Sequence, residues 1–219
     1  MMDLDPVELR VLGCLVEKQR TTPDAYPLSL NGLRLACNQT TNRDPVVAYD
    51  EPEIREALHR LSRRRFTRLA SGHTSRAAKY RHLLGEALEL EPPALAVLAV
   101  LMLRGVQTPG ELKARTERMQ GFADLAALQE VLDGLVAREL VVRLARRPGQ
   151  KEERYGHRLS EEGPSGRAAE PAAAPAAAPA AASLAAVSAV PEDDRLAHLE
   201  REVAALRDDL AALRASLGA

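Results

Sequence analysis

The amino-acid sequence predicts a mainly α-helical chain with small β-hairpins, arranged as two tandem winged-helix domains, a Pro/Ala-rich linker and a C-terminal coiled-coil helix. Three observations lead to this fold class: an internal repeat within residues 1–160, a change of composition at 161–191, and regularly spaced leucines at 192–219. The predicted domain ranges are 1–88, 89–160, 161–191 and 192–219.

The internal repeat is a set of matched positions that keep the same order along the chain. Apolar residues around Leu9 recur 86 positions later around Leu95, and those around Leu58 recur 74 positions later around Leu132. Further matched pairs are Thr22 with Thr108, Tyr80 with Tyr155 and His82 with His157. The offset shortens because the first copy has about twelve extra residues around 26–49. Three alignments in one order indicate duplication.

Each copy has the pattern of three helices and a hairpin. Apolar residues at helical spacing predict the first helix, as Leu9, Leu12 and Val16 and again as Leu95, Leu98 and Met102. The predicted caps of the later helices are Ser29, Asp50, Thr108 and Asp124. Two extended segments then close each copy, at 66–70 and 77–83 and at 140–145 and 153–158. This order is typical of a winged helix, whose hairpin turn is the wing. Because domains this small bury little surface, we expect the two copies to pack on each other.

The last 59 residues differ in composition from the rest of the chain. Prolines recur every fourth residue among alanines at Pro171, Pro175 and Pro179, which favours an extended spacer over a helix. A heptad pattern follows, with core positions Leu196, Leu199, Val203, Leu206, Leu210, Leu213 and Leu217. Opposite charges at facing positions, such as Glu202 and Arg207, favour a parallel homodimer. The alternative is one amphipathic helix folded back on the body.

Charge and composition exclude several classes of protein. The net charge of −1 combines two mildly basic domains with an acidic tail, so it permits a polyanionic partner without predicting one. The shortage of aromatic residues argues against single-stranded nucleic acid as the ligand, which leaves duplex DNA. No membrane span, signal peptide or Cys-x-x-Cys motif is evident, and we expect a cytoplasmic protein.

Four segments together resemble the YceH-like family of bacterial proteins. The main one is TTPDAYPLSLNGLRLACNQTTNRDPV at 21–46, with further matches in LGCLVEKQ at 12–19, LRGVQTPGEL at 103–112 and VVRLAR at 141–146. The resemblance covers roughly residues 5–158 and implies a tandem winged-helix architecture with a coiled-coil-like tail in a cytoplasmic protein. It brings no catalytic residues with it. The Pro/Ala-rich linker departs from the family pattern.

The candidate DNA-binding residues lie at the end of the third helix and along the wings. They are His59, Arg60, Arg63, Arg64, Arg68, His73, Arg76, Lys79, Arg146, Arg147 and Lys151. Among them, His59 and Arg60 are the predicted base readers, and the others are placed to contact phosphates. The first half of this helix carries Glu51, Glu53 and Glu56, which would repel phosphate, so binding would depend on its second half and the wing. The alternative to DNA contact is that these arginines form a solvated, arginine-rich end of the helix, where the helix dipole favours cations.

The remaining motifs indicate structure rather than chemistry. The polar loop at 38–45 has side chains that can pair with bases, but turn formation is the favoured interpretation. His82 and His157 at equivalent hairpin ends suggest a shared structural role, and Cys14 is expected to be buried and inert. No catalytic, cofactor or metal motif is found. The leading hypothesis is a non-enzymatic, dimeric duplex-DNA-binding protein. The alternative is an adaptor whose winged helices dock protein partners, similar to chromosome-segregation adaptors.

Overall fold

Most helices begin directly after a capping residue that can be recognised in the sequence. In the computed structural model, which describes residues 2–70, 78–146 and 152–160, the side chains of Ser29, Asp50, Thr108 and Asp124 all accept a hydrogen bond from a backbone N–H in the first helical turn. These caps are the predicted ones. Asp5 forms one further capping box, in which its carboxylate and that of Glu8 each accept the other's backbone N–H, at 2.8 and 3.0 Å.

In its described residues, the first half contains three α-helices, a short 3-10 helix (Pro23–Ala25) and a three-stranded antiparallel sheet. Its helices are α1 (Pro6–Thr21), α2 (Leu30–Cys37) and α3 (Glu51–Arg63), and its strands are β1 (Leu28–Ser29), β2 (Thr67–Leu69) and β3 (Lys79–His82). The strands lie in the order β1-β3-β2, with Leu28 opposite Tyr80 and Leu69 also opposite Tyr80. The short β1 strand is an element that the sequence pattern does not predict.

The second half repeats this arrangement. A short helix, α4 (Leu84–Leu88), leads into α5 (Pro92–Arg104), α6 (Pro109–Thr116), α7 (Leu125–Ala137) and a hairpin of β4 (Val141–Leu144) and β5 (Arg154–His157). Gln107 takes the place that β1 has in the first half. Its backbone exchanges two hydrogen bonds with Tyr155, of 2.9 and 2.7 Å, just as β1 pairs with the equivalent Tyr80.

The two halves share one hydrophobic core. Helix α1 packs against its repeat equivalent α5, and buried residues of both halves form a single cluster. The contact is close at Gly13, because a Cβ atom there would lie 2.8 Å from Cγ of Leu103. The two copies therefore pack on each other as expected, through their first helices, and the described residues all belong to one compact unit.

The described part of the chain is mainly helical with small antiparallel sheets, as predicted. None of its helices has both the length and the apolar composition needed to cross a bilayer. The predicted linker at 161–191 and the coiled coil at 192–219, with core positions Leu196 to Leu217, lie outside the described residues. So do the first wing turn at 71–77, with His73 and Arg76, and Arg147 and Lys151 of the second wing.

Candidate nucleic-acid interface

The first half has an open surface with several basic side chains between α3 and its hairpin. A groove of about 240 Å³ is lined by Arg55, His59 and Ser62 of α3, by Arg68 and Leu69 of β2, and by Tyr80 of β3. We call it the α3–hairpin groove. The structure thus brings together two sequence-predicted site residues, His59 and Arg68, with Arg55, which was not among the predicted ones.

The helical spacing of α3 explains which of its side chains line this groove. The opposite face of α3 carries Ile54, Ala57, Leu58 and Leu61, all buried in the core as the sequence predicts. In β2, Thr67 is buried, whereas Arg68 and Leu69 are both exposed. The groove residues are therefore positioned by the same packing that forms the core.

The cations of this surface have few internal partners. Arg55 makes one long ion pair with Glu51, at 3.9 Å, and both side chains are exposed. Within the described part of the chain, the side chains of His59, Arg63 and Arg68 make no hydrogen bond or ion pair, and all three residues are exposed. The charges of Arg63 and Arg68 are consequently available to an external anion.

Arg60 and Arg64 point away from the groove towards the start of α1. The guanidinium of Arg60 contacts the carboxylates of Asp5, Glu8 and Glu56, and that of Arg64 contacts the Asp3 carbonyl oxygen and lies 3.9 Å from Glu8. Burial lowers the pKa of Arg60, but the carboxylates of Asp5 and Glu8 outweigh it and raise the pKa. Both arginines tie α3 to the N-terminal segment, so the geometry leaves base contact by Arg60 without support.

The other predicted wing residues are dispersed. Lys79 is exposed at the beginning of β3, and Arg146 is exposed just after β4. In the second half, Arg143 pairs with Asp133 at 3.2 Å and Glu153 at 3.4 Å, and its Cζ atom lies 5.7 Å from the centre of the Tyr155 ring. The neighbouring face of α7 exposes Leu125 and Glu130 rather than basic side chains.

The polar loop at 38–45 is held from inside by two arginines. Arg43, whose side chain has no exposed surface, donates to both Glu17 carboxylate oxygens, at 3.1 and 2.6 Å, and to the Ala36 carbonyl oxygen. Arg10 donates to the carbonyl oxygens of Cys37 and Pro45. The loop therefore has the structural role that was favoured over base reading. A buried role for these two arginines was not predicted, because single charged residues give no periodic pattern.

The two cysteines are buried beside each other and are reduced. The Cys14 thiol donates to the Ala36 carbonyl oxygen at 3.3 Å, and both side chains are fully buried. The pKa of Cys37 is raised by its hydrogen bond with Cys14 and by burial. In the ranges described, no group of three His, Cys, Asp or Glu side chains is placed to hold a metal ion.

The sequence of this chain matches a known protein family. Residues 4–150 match a family described as protein of unknown function, DUF480. This chain belongs to the DUF480 family. The match confirms the resemblance to an uncharacterised bacterial family that was recognised in the sequence.

Relatives of this DUF480 protein are similar over nearly the whole chain. A UPF0502 protein of Geotalea uraniireducens is 48% identical over 205 residues, covering 93% of this chain and 90% of the relative. A UPF0502 protein of Geobacter sulfurreducens is 47% identical, with the same coverage. One from Vibrio vulnificus is 42% identical and covers 97% of this chain and 96% of the relative. A match of that extent includes most of the segment after residue 160.

Proposed function

We propose that this DUF480 protein is a non-enzymatic, tandem winged-helix protein that binds duplex DNA through the α3–hairpin groove of its first half. The observation that carries the proposal is the juxtaposition there of Arg55, His59 and Arg68, with Arg63 one turn beyond His59, on a surface with few internal ion pairs. Phosphate contacts by such cations supply most of the affinity of non-specific DNA binding.

The order of elements supports this proposal. Helices α2 and α3 form the helix-turn-helix, and the β2–β3 hairpin is the wing beside it, joined by β1 at the sheet edge. All of the residues that line this groove belong to the first half. Helix α3 packs against α1, α2 and β2, whereas the second half packs on α1 through α5.

The distribution of charge along α3 predicts how DNA would approach. Glu51, Glu53 and Glu56 occupy the N-terminal half of the helix, where they would repel phosphates in the major groove. Arg63 and Arg68 lie at the other end and on the wing strand. We therefore expect contacts to the DNA backbone by the helix end and hairpin, with weak dependence on base sequence.

Fluorescence anisotropy with random-sequence duplex DNA over a salt series tests the proposal. The logarithm of the association constant should fall linearly with the logarithm of salt concentration, with a slope of about −0.9 per phosphate contact. Arg63→Gln and Arg68→Gln should each lower the affinity and make the slope shallower by about 0.9. Arg158→Gln removes the same charge at the far end of the second hairpin and should change neither quantity.

Two results would contradict this function. One is the absence of binding to duplex DNA at low salt. The other is an equal loss of affinity in Arg158→Gln and Arg63→Gln, because that would mean a response to total charge rather than to this surface.

A second candidate function is that of an adaptor for protein partners, and one observation favours it. An apolar groove of about 230 Å³ lies between α7 and the start of α5, lined by Leu90, Pro93, Ala94, Val131 and Leu135. An apolar groove between helices is a typical site for the docking of an amphipathic helix. If DNA does not bind, this surface becomes the leading one.

A further inference from the structure

We propose that a second site, separate from the α3–hairpin groove, binds a small ligand with two linked phosphate groups. The site is a pocket of about 300 Å³ where the C-terminal ends of α1 and α5 meet α6 and the 38–45 loop. We call it the junction pocket. Its walls share no residue with the α3–hairpin groove, so this inference does not rest on the proposed DNA binding.

Cations from three elements line the junction pocket. Lys18 comes from α1, Arg104 from the end of α5, and Arg115 and Arg118 from α6 and the turn after it. Two carboxylates beside these cations are engaged. Glu17, which lines the pocket, is held by two bonds from the buried Arg43 and lies 3.7 Å from Lys18, and Glu111 pairs with Arg115 at 3.3 Å. The positive charge of Arg104 and Arg118 is therefore in excess.

Arg104 and Arg118 are the two residues with the least internal compensation. Within the described residues, the guanidinium of Arg104 donates one hydrogen bond, to the neutral amide oxygen of Asn42. Burial, together with the nearby charges of Arg115 and Arg43, lowers the pKa of Arg104. Arg118 is exposed, and within the part of the chain that the structure describes it makes no hydrogen bond or ion pair. An anion between the two guanidinium groups would compensate both.

The rest of the pocket suits phosphate oxygens. Guanidinium groups pair with phosphate through two parallel hydrogen bonds, and two of them match a ligand with two phosphate groups better than one with a single charge. The Thr41 hydroxyl and the Asn42 amide add neutral polar groups to the wall. Arg43 fixes the backbone of this loop by donating to the Asn42 carbonyl oxygen at 2.8 Å. The protein itself therefore holds this wall of the pocket in place.

The shape of the junction pocket favours a small ligand over duplex DNA as the source of the phosphate groups. The pocket volume is at the lower end of the range for small-molecule sites. It is also a recess bounded by three helices and a loop, whereas a duplex presents its phosphates along a convex surface. The geometry therefore favours a compact ligand whose phosphates enter the recess.

The test is calorimetric titration of the full chain with pyrophosphate, using sodium chloride at matched ionic strength as the blank. We expect saturable binding of one pyrophosphate per chain. Arg118→Gln and Arg104→Gln should each weaken binding about tenfold or more, since each removes a charge-assisted contact. Arg158→Gln, which removes a partly exposed arginine outside both the pocket and the α3–hairpin groove, should leave the affinity unchanged. Arg118→Gln keeps the test valid if Arg104→Gln does not fold, because the Arg118 side chain makes no hydrogen bond or ion pair with any other described residue.

Three results would overturn the proposal. The first is no heat beyond that of the chloride blank. The second is unchanged pyrophosphate affinity in Arg118→Gln. The third is loss of duplex DNA binding in Arg118→Gln without pyrophosphate binding to the parent, which would make the pocket a DNA phosphate contact. A protein that binds pyrophosphate but not DNA would support this site and contradict the proposed function.

Discussion

Arg43 is the side chain on which the geometry of the 38–45 loop depends. Its guanidinium is fully buried and is saturated by Glu17, the Ala36 and Asn42 carbonyl oxygens and the Gln39 amide oxygen. A buried charge of this kind is stable only when all of its donors are satisfied. The loop that lines the junction pocket is thus built around one ion pair between α1 and the loop.

Removing the carboxylate of this pair should be costly. We expect Glu17→Ala to lower the free energy of unfolding by about 3 kcal/mol, because it leaves the buried Arg43 charge without its partner. Glu86→Ala is the matched control. It breaks an ion pair of 2.6 Å with Arg81 at the surface, which should cost less than about 1 kcal/mol. Urea unfolding measures both, and equal losses would show that the Arg43 pair has no special weight.

The two equivalent histidines have the same hydrogen-bonded role in both halves. The Nδ1 atom of His82 accepts the backbone N–H of Leu84 at 3.3 Å, and that of His157 accepts the N–H of Leu159 at 3.4 Å. Both rings are buried, and burial lowers the pKa of each to about 4. The shared structural role that the repeat suggests is therefore present in the structure, and it requires the neutral form of the ring.

These lowered pKa values predict loss of stability in mild acid. Between pH 6.5 and about pH 4 the unfolded chain binds a proton on each histidine that the folded chain does not, so the free energy of unfolding falls as pH falls. The loss should reach about 2 kcal/mol for each histidine at pH 5. His82→Asn or His157→Asn should each remove its share of the difference between pH 7.5 and pH 5, and the double variant should remove both. An unchanged difference in urea unfolding would contradict this assignment.

At the scale of elements, the sequence was most informative where a local rule determines the structure. Ser29, Asp50, Thr108 and Asp124 were predictable as caps because a short polar side chain before an apolar helical pattern has a local hydrogen-bond partner. The two-residue strand β1 was not, because it exists only through pairing with β3, about 50 residues later. Strands this short have no pattern of their own.

The same distinction, between structure set by a local rule and structure set by distant residues, applies to the candidate site residues. Burial of one face of α3 was predictable from its apolar spacing, and it places His59 on the open side. The position of Arg60 was not predictable, because Asp5 and Glu8 reach it from a distance of more than 50 residues along the chain. A long side chain at the edge of a helix is directed by its partners, and sequence periodicity does not contain them.

The close packing of α1 on α5 gives opposite expectations for two helical glycines. Gly13→Ala should destabilise the protein by about 1 kcal/mol or more, because the new Cβ atom would lie 2.8 Å from Cγ of Leu103 and 3.3 Å from Cβ of Met102. Gly134→Ala, in α7, should stabilise it by about 0.5–1 kcal/mol, because nothing lies within 4 Å and alanine favours the helix. Urea unfolding of the two variants provides the comparison. A gain in stability from Gly13→Ala would show that α5 moves to make room.

At the scale of the whole molecule, duplication explains both the shared core and the difference between the halves. The first helices of the two copies became each other's packing partners, and the hairpins of both copies end in the same histidine arrangement. The first copy has an arginine-lined groove beside its third helix, whereas the groove described beside α7 is lined largely by apolar side chains. This asymmetry is why we assign DNA contact to one half and leave α7 as the surface for a protein partner.

Dimerisation through the heptad segment at 192–219 is the last property that the sequence predicts for the whole chain. Replacing the core residues Leu206 and Leu210 by Glu should convert a dimer into a monomer in sedimentation equilibrium, because four carboxylates would meet at the dimer seam. The control replaces Ala205 and Ala212 by Glu, at heptad positions outside the seam, and should remain dimeric. If the parent is itself a monomer, the zipper does not pair with a second copy. If it is a dimer that both double variants leave intact, then the two copies associate through another surface.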